Sequence, residues 1–326
     1  MALDTTRTSI DVLLTPEDWE RSLREEARAG LTSTPKDLPP TWLYDERGCA
    51  LFDEITRLPE YYPTRAERSI LRRRAVEVAT VAGADTLVEL GAGTAEKTRL
   101  LLDAMRLIGH LQRYVPFDVA EATLRATADA VAAEHPDVAV HGVVGDFRRH
   151  AGQLPAGGRR LVAFLGGTIG NLPPAGRATL LTTLAAGMAP GDTLLLGTDL
   201  VKDRDRLVAA YDDAAGVTAE FNRNALRVLN RELGASFDVD RFDHVARFDD
   251  DAEWIEMRLR SRGEQTVTVP ALDLTLAFAD GEDLRTEISA KFRLDGVERE
   301  LTGAGLRLIE QWTDDAGDFA LSLAAR

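Results

Sequence analysis

Cysteine is almost absent from this sequence, and its scarcity excludes two kinds of architecture. The chain of 326 residues has one cysteine, Cys49. A single thiol cannot build an internal disulfide framework or a cysteine metal cluster. We expect Cys49 to be a small buried side chain rather than a nucleophile. The five histidines are scattered without H-E-x-x-H or other ligand spacing, so we predict no metal.

The sequence has fewer basic than acidic residues, and it has no long apolar run. Lys and Arg total 39 against 54 Asp and Glu, a formal charge of −15. Such a chain should repel phosphate backbones, so we expect no nucleic acid partner. No apolar run approaches the roughly 18 residues that span a bilayer, and residues 1–10 lack a signal pattern. We therefore expect a cytoplasmic protein without a membrane partner. No feature demands a protein partner, so we expect a monomer.

The sequence does contain a glycine turn after a short apolar run. Residues 86–90 favour a β-strand, Gly91-Ala92-Gly93 follows, and a helical pattern begins at Thr94. The glycines let a ligand approach the backbone, and the N–H groups at the start of a helix face it. A dinucleotide site prefers a third glycine, which keeps the helix N-terminus uncovered for the pyrophosphate. Glu96 stands there instead, and its negative charge argues against NAD or FAD.

The segment Glu89-Leu90-Gly91-Ala92-Gly93-Thr94 resembles the first motif of class I methyltransferases that use S-adenosylmethionine (SAM). That ligand has no phosphate for Glu96 to repel, and it has a carboxylate within the reach of Lys97. For this motif alone, an ordinary glycine turn of an α/β domain remains the alternative.

From residue 86 onward the chain alternates between strand and helix patterns. The predicted strands are residues 86–90, 113–117, 138–144, 161–165 and 193–197. Units of this length predict a doubly wound parallel sheet, in which ligands bind beyond the carboxyl ends of the strands. Asp118, Asp146 and Asn171 fall at such ends.

The residue types at these strand ends suit SAM. Asp118 can accept hydrogen bonds from both ribose hydroxyls, and Asp146 can accept one from the adenine amino group. Phe147 is available to contact the adenine ring, and Asn171 can both donate and accept. Each residue alone has another explanation, as a turn residue or a helix cap. Together with the glycine turn, and in this order, they indicate a SAM site.

The segments on either side of this region complete the predicted architecture. Before it we predict a loose lead-in over residues 1–14 with a short extended piece at residues 10–14, and then a helix from Pro16 to about Gly30. A loop over residues 31–43, a helix over residues 50–56 and a capping box, Thr64-x-x-Glu67, follow. After it we predict helices over residues 201–215 and 218–233, four β-runs between residues 237 and 279, and a lead into a short helix at residues 286–289. The chain closes with a β-hairpin of residues 306–312 and 319–324.

A class I methyltransferase sheet ends in an antiparallel hairpin of this kind. The predicted fold is therefore α/β, a Rossmann-like doubly wound sheet with a terminal antiparallel hairpin, plus a second α+β domain. Residues 66–199 and 292–326 would form the SAM-binding domain. Residues 1–65 and 200–291 would form a substrate-binding or lid domain.

Four segments resemble the histidine-specific Nα-methyltransferases of ergothioneine biosynthesis. They are residues 44–48 (YDERG), 58–65 (LPEYYPTR), 89–93 (ELGAG) and 166–171 (GGTIGN). The second and fourth are shared with a wider group of methyltransferases, whereas Glu287-Ile288-Ser289 is the more substrate-specific match. The resemblance covers nearly the whole chain.

The resemblance implies a site and a reaction. SAM would be held at Gly91, Lys97, Asp118, Asp146 and Phe147. The carboxylate and amino end of histidine would be held by Asn171 and Tyr211 with the carbonyl of Gly166, and its imidazole by Tyr61, Glu287 and Ser289, with Tyr44 and Phe221 nearby. The product would be the trimethylated betaine hercynine, made in three transfers. The amine must lose a proton before each transfer, to water or through Tyr44, Tyr61 or Asn171, which are the catalytic candidates.

Other interpretations remain open. Spacing alone favours Glu287 as a solvated charge near a domain boundary, and only the family match reverses that preference. The alternative enzyme is a SAM-dependent N-methyltransferase of another amino acid or amine. A nicotinamide oxidoreductase and a SAM-binding protein without catalysis are the remaining two hypotheses.

Overall fold

The structure is a computed structural model that describes residues 8–326. The strands of this range are β1 (Thr8–Val12), β2 (Lys36–Asp37), β3 (Thr86–Leu90), β4 (Arg113–Asp118), β5 (Ala139–Val144), β6 (Arg160–Phe164), β7 (Thr193–Asp199), β8 (Phe242–Asp249), β9 (Trp254–Ser261), β10 (Gln265–Val269), β11 (Leu274–Phe278), β12 (Asp283–Ala290), β13 (Arg307–Thr313) and β14 (Phe319–Ala325). The α-helices are α1 (Pro16–Thr32), α2 (Glu46–Ile55), α3 (Pro63–Ala82), α4 (Arg99–Leu107), α5 (Glu121–Glu134), α6 (Phe147–His150), α7 (Pro174–Gly187), α8 (Arg204–Ala209), α9 (Val217–Leu233) and α10 (Leu294–Gly303). Short 3₁₀ turns include Pro40–Leu43 and Thr168–Asn171.

The chain divides into two compact units. The first unit comprises the described residues up to Leu14, Pro63–Val201 and Phe292–Arg326. The second unit comprises Thr15–Tyr62 and Lys202–Lys291. The sequence placed the boundaries at residues 65/66, 199/200 and 291/292, and it assigned the segment before Leu14 to the second domain.

The first unit is built on one eight-stranded sheet, in the order β1-β5-β4-β3-β6-β7-β14-β13. The six strands from β1 to β7 in this order run parallel, and β14 and β13 close the sheet antiparallel to β7 and to each other. Strands β3, β6 and β7 are buried along their whole length, which explains their apolar sequences. The predicted doubly wound sheet with a terminal antiparallel hairpin is confirmed.

The N-terminal lead-in is the edge of this sheet. The sequence predicted a loose segment with a short extended piece at residues 10–14; residues 1–7 lie outside the described range. Instead β1 pairs in parallel with β5, from Thr8 opposite Val140 to Val12 opposite Val144. A lone edge strand takes its place from the hydrogen bonds of its neighbour, and its own sequence carries little signal for that.

The second unit has its own sheet and core. Its sheet has the order β2-β12-β9-β8, and β10 and β11 form a separate hairpin. The core packs aromatic rings of Phe237, Phe242 and Phe278 with centroids 5.4–6.0 Å apart.

None of the described helices is long and apolar enough to cross a membrane.

Three predictions for the second unit are wrong. The helix predicted over residues 201–215 is limited to α8, which Asp203 caps through the N–H of Arg206 at 2.9 Å. The loop predicted over residues 31–43 contains β2, which pairs with β12. The segment 286–289 does not lead directly into a helix but lies inside β12, because residues 287–289 pair with β9. Strand β2 pairs with β12 only at Leu284 and Arg285, just before this segment.

Candidate active site

The glycine turn lies at the carboxyl end of β3, in the middle of the large sheet. Gly91 and Gly93 have φ of 70° and 49°, a left-handed conformation that favours glycine. No heavy atom lies within 4 Å of the position that a Cβ would take at either residue. The turn therefore leaves open space beside its backbone. The predicted helix start at Thr94 is wrong, because Ala95 has a φ of 52° and α4 begins only at Arg99.

Asp118 ends β4 and joins that strand to the glycine turn. Its Oδ2 accepts the N–H of Gly93 at 2.8 Å, and its Oδ1 accepts the N–H of Ala120 at 2.9 Å. Burial raises the pKa of Asp118, and these two N–H donors act in the opposite direction. Each carboxylate oxygen has a further lone pair, so the carboxylate has the acceptor capacity that a pair of neighbouring hydroxyls requires.

Glu89 supports the turn from inside the sheet, a role that the sequence did not reveal. Its buried carboxylate accepts the hydroxyl of Tyr114 at 2.5 Å and the hydroxyl of Thr98. Burial raises the pKa of Glu89 to about 7, while the two hydroxyls act to lower it. The carboxylate thereby connects β3, β4 and the segment that leads into α4.

Glu67 is the second supporting residue, and here the predicted capping box is wrong. Helix α3 begins at Pro63, so Thr64 is already inside it. The carboxylate of Glu67 is fully buried, accepts the N–H of Gly166 at 2.8 and 3.0 Å, and pairs with the ammonium of Lys97. A charged partner competes better for a carboxylate than a helix N-terminus does. Lys97 and Gly166, two of the predicted site residues, are thus held by one carboxylate.

The remaining predicted residues of the first unit lie after β5 and β6. Asp146 is buried and binds Arg148 through its backbone N–H and through its guanidinium, both at 2.8 Å. Phe147 packs edge-on against Phe164, with ring centroids 5.1 Å apart. Asn171 ends the 3₁₀ turn that follows the left-handed Gly166 and Gly167. All three predicted residues follow carboxyl ends of parallel strands.

The second unit gathers the predicted aromatic side chains. The ring centroids of Tyr44 and Phe221 are 5.3 Å apart, and those of Tyr61 and Tyr211 are 6.2 Å apart. Phe52 joins the two pairs, at 5.6 Å from Tyr44 and 6.1 Å from Tyr61. Phe52 was not predicted, although its place in α2, eight residues after Tyr44, was visible in the sequence.

Glu287 and Ser289 lie on one face of β12. They pair with Met257 and Ile255 of β9, after an irregularity at Thr286. Alternate residues of a strand share a face, and both side chains are buried, with 7% of each residue exposed. The pKa of Tyr44 lies well above its usual value. Burial is the largest cause, and the negative charge of Glu287 is the second largest. Glu287 is therefore a buried charge close to Tyr44, not a solvated one.

Tyr211 and Ser289 are joined by a lysine that the sequence did not single out. Their hydroxyl oxygens are 2.7 Å apart. The ammonium of Lys291 donates to Tyr211 at 3.0 Å and to Ser289 at 2.8 Å, and it lies 4.6 Å from the centroid of the Tyr211 ring. Only 4% of Lys291 is exposed.

A histidine and an asparagine fix the backbone behind this cluster. Nε2 of His244 lies 2.8 Å from the carbonyl oxygen of Tyr211, so this nitrogen carries the hydrogen. Nδ1 then accepts from Asn222 at 2.8 Å, and the amide oxygen of Asn222 accepts the hydroxyl of Thr286. Burial lowers the pKa of His244. The neutral ring thus links Tyr211 to the strand that carries Glu287.

Residues 8–326 contain no group of three or more His, Cys, Asp or Glu side chains that could hold a metal ion.

The arrangement of the first unit is that of the class I SAM-dependent methyltransferases: parallel strands, a closing antiparallel hairpin, a glycine turn at the end of β3 and an acid at the end of β4. The family described as histidine-specific, SAM-dependent methyltransferases matches residues 23–326, and the chain belongs to this family.

Similarity to two bacterial proteins and one fungal protein extends this match over both units. The chain is 60% identical over 313 residues to the histidine N-alpha-methyltransferase of Mycolicibacterium smegmatis, covering 96% of this chain and 98% of that one. It is 59% identical over 320 residues to the protein of the same name from Mycobacterium tuberculosis, covering 98% and 100%. It is 30% identical to ergothioneine biosynthesis protein 1 of Neurospora crassa, covering 90% of this chain and 33% of that larger protein.

Proposed function

We propose that this protein transfers three methyl groups from SAM to the α-amino group of L-histidine and so forms hercynine, the first step of ergothioneine biosynthesis. The observation that carries the proposal is Glu287, a buried carboxylate that shares a strand face with Ser289 and lies close to Tyr44, in a member of the histidine-specific family. The relatives named as histidine N-alpha-methyltransferases, at 59 and 60% identity, support the same substrate.

The residues of the first unit are suited to hold the methyl donor. SAM is the donor used by this family, and when bound it supplies an electrophilic methyl group on a cationic sulfonium. The open space beside Gly91 and Gly93 accommodates a ligand against the backbone. We assign Asp118 to the ribose hydroxyls, because its oxygens keep acceptor capacity, and Lys97 to the carboxylate. Asp146 and Phe147 are assigned to adenine.

The residues of the second unit are suited to an aromatic ring that carries hydrogen-bonding nitrogens. Glu287 accepts a ring N–H, Ser289 and Tyr61 bond the ring, and Tyr44 and Phe221 pack beside it. A ring N–H adds a charge-assisted hydrogen bond to the Glu287 carboxylate, so the site favours rings that carry an N–H at that position. Asn171, Tyr211 and the carbonyl of Gly166 are assigned to the carboxylate and amino end of histidine.

The chemical step needs positioning more than it needs a reactive side chain. A neutral α-amine attacks the methyl carbon in line with the departing sulfur, and the C–S electron pair leaves with the sulfur. Orientation and exclusion of water lower this barrier. The pKa of Tyr44 lies well above its usual value, so its hydroxyl stays protonated and acts as a hydrogen-bond partner. The amine proton then leaves to water or through Tyr61 or Asn171.

The decisive experiment is an incubation with SAM and each common amino acid, read by mass spectrometry. We expect mono-, di- and trimethylated histidine and little product from the other amino acids. Methylation of a different amine would keep the fold and the donor but reject the ring assignment. SAM binding without transfer to any amine would reject catalysis.

We also propose that the protein acts as a monomer in the cytoplasm. The large apolar side chains that are exposed among the described residues are scattered along the chain: Val12, Val76, Val81, Leu107 and Leu294. Five exposed large apolar side chains are few for the apolar core of a stable interface. Light scattering at micromolar concentration should return the mass of one chain, and a mass twice as large would contradict the proposal.

A further inference from the structure

Side chains hold three successive peptide groups of the turn that is assigned to the methyl donor. Asp118 accepts the N–H of Gly93 at 2.8 Å. The hydroxyl of Thr127 donates to the carbonyl oxygen of Gly93 at 2.7 Å. The guanidinium of Arg99 donates to the carbonyl oxygen of Thr94 at 2.8 Å. The shape of this turn therefore depends on residues that follow it in the chain.

The donor turn, which we define as residues 91–95, has a backbone that benefits from such support. Ala95 has a φ of 52°, in the left-handed region that a residue with a Cβ rarely adopts. Gly91 and Gly93 have no Cβ to restrict them, so they have many alternative conformations. Restricting a segment before its ligand arrives lowers the entropy that binding must remove. Side chains that fix the donor turn should therefore raise its affinity for a ligand.

Two of the supporting side chains lie on one face of α5. Thr127 and Glu134 are seven positions apart, which is two helical turns. Glu134 binds Arg99 through two bonds, from Nε at 2.7 Å and from Nη2 at 2.9 Å. This bidentate pairing orients the plane of the guanidinium, whose Nη1 bonds Thr94. Helix α5 thus holds Gly93 directly and Thr94 through Arg99.

The two contacts differ in their exposure to water. Thr127 is buried, with 5% exposed, whereas the side chains of Arg99 and Glu134 are 29% and 44% exposed. Water competes with an exposed ion pair, and a buried carbonyl oxygen that loses its donor has no such compensation. We therefore expect Thr127 to contribute more than Glu134 to the shape of the turn.

We propose that Thr127 and Glu134 are positioning residues for the methyl donor. Through their bonds to Gly93 and Arg99, helix α5 holds the donor turn in the conformation that binds SAM. This inference rests on the proposed function in one respect, the assignment of the donor to the turn at Gly91. The role does not require either side chain to touch the reacting atoms, so binding of the donor should depend on them and the chemical step should not.

The variant Thr127→Val keeps the shape of the side chain and removes the hydroxyl. The dissociation constant of S-adenosylhomocysteine, measured by calorimetry, should rise about five- to tenfold. The KM for SAM should rise by a similar factor, while the KM for histidine and the kcat change by less than about twofold. Thr127→Ser restores the hydroxyl and should return the dissociation constant to within about twofold of its original value.

Thr193→Val is the matched control for Thr127→Val. Thr193 is also buried, and it is the first residue of β7, so it lies at the amino ends of the parallel strands, away from the donor turn. This control should keep the affinity for S-adenosylhomocysteine. An equal loss of affinity in the two variants would assign the effect to general destabilisation of the unit and reject the role of Thr127.

The variant Glu134→Gln tests the second contact at a half-exposed position, so it remains informative if Thr127→Val does not fold. The dissociation constant of S-adenosylhomocysteine should rise about two- to threefold. Glu121→Gln is the control, because it removes another ion pair of the same helix, with Arg125 at 2.7 Å. The control should leave the dissociation constant unchanged, and the same change in both variants would contradict the role of Glu134.

Amide hydrogen exchange, read by mass spectrometry without any substrate, tests the position of the turn independently of catalysis. Exchange of residues 91–95 should be faster in Thr127→Val than in the unchanged protein or in Thr193→Val. Unchanged exchange in Thr127→Val, or faster exchange without loss of affinity, would overturn the inference. In the unchanged protein, S-adenosylhomocysteine should slow the exchange of these residues. If it binds without doing so, the assignment of the donor to this turn is wrong, and failure to methylate histidine would instead reject the proposed reaction.

Discussion

Glu67 and Lys97 lie 30 positions apart in the chain and form an ion pair beside the glycine turn. Glu67 is fully buried and also accepts the N–H of Gly166, so one carboxylate holds the segment after β3 and the segment after β6. These are the two segments to which the family resemblance assigns SAM and the amino end of histidine. Four experiments test this ion pair and the other residues on which the proposed function depends.

The variant Glu67→Gln should impair binding of the methyl donor. The amide still accepts the N–H of Gly166 but leaves the ammonium of Lys97 without its charged partner. We expect the KM for SAM to rise about tenfold or more with little change in the KM for histidine, and stability to fall by about 3 kcal/mol. Steady-state kinetics with each substrate varied in turn measures both constants.

The control for this variant is Asp192→Asn in the first unit. Asp192 forms a buried ion pair with Arg160. Arg160 is the first residue of β6, so this pair lies at the amino ends of the parallel strands, opposite to the glycine turn. The variant should lose similar stability and keep the KM for SAM. If both variants raise the KM for SAM equally, Glu67 acts only through the stability of the unit.

Removal of the carboxylate of Glu287 should weaken the preference for histidine. In Glu287→Ala the ring N–H of histidine is buried without an acceptor, which costs about 2–3 kcal/mol. The kcat/KM for histidine should fall about 30- to 150-fold, and that for other aromatic amino acids should fall much less. Competition between histidine and tryptophan, read by mass spectrometry, gives the ratio directly.

Glu256→Ala provides the comparison for Glu287→Ala. Glu256 is a buried carboxylate of β9 and lies opposite Ile288 of β12. Its side chain is therefore on the other face of the sheet from Glu287, where it forms ion pairs with Arg258 and Arg247. Its loss should lower stability without changing the preference among amino acids. An unchanged preference for histidine in Glu287→Ala would contradict our assignment of the ring site.

The raised pKa of Glu89 should appear in the stability of the protein. Its pKa rises from 4.5 in the unfolded chain to about 7 in the fold, so between these values the folded state binds more protons than the unfolded state. Stability therefore falls as the pH rises through this window, by on the order of 3 kcal/mol from this group. Glu89→Gln has no such proton to lose. Urea unfolding at pH 5 and pH 7.5 should show a smaller loss for the variant, and equal losses would contradict the shift.

The open space at the glycine turn should make Gly91 sensitive to a single methyl group. Gly91→Ala adds strain at a φ of 70° and places a Cβ in the space assigned to the methyl donor. Gly109→Ala adds the same kind of strain at a φ of 77°, also into open space, in the turn before β4 at the opposite edge of the sheet. Each should lose about 1–2 kcal/mol, and Gly91→Ala alone should weaken SAM binding in calorimetry. Equal SAM affinity in the two variants would argue against a donor site at Gly91.

Local sequence signals were sufficient wherever a residue's role depends on its immediate neighbours. The apolar run of β3, the left-handed glycines after it and Asp118 at the end of β4 are all readable from short segments. The closing hairpin and the capped start of α1 are local in the same sense, since Thr15 accepts the N–H of Asp18 within one turn.

Predictions from local sequence were wrong where a residue pairs with a distant part of the chain. Thr64 and Glu67 have the spacing of a capping box, but Glu67 has a charged partner that only the folded sheet brings near. Residues 286–289 have no strong strand pattern, yet residues 287–289 pair with β9 within β12. The edge strand β1 likewise depends on β5.

The sequence by itself determined the class of fold, the glycine turn, the polar residues at the strand ends and the resemblance to a histidine-specific family, because periodicity and short motifs are properties of neighbouring residues. Only the tertiary structure decided that Glu67 binds Lys97 and Gly166, that Glu89 is buried under the turn, and that Lys291 binds Tyr211 and Ser289. These contacts join segments tens of residues apart, or depend on burial that the whole fold produces. Burial is also what gives those charges their strength, because they act in a medium less polar than water.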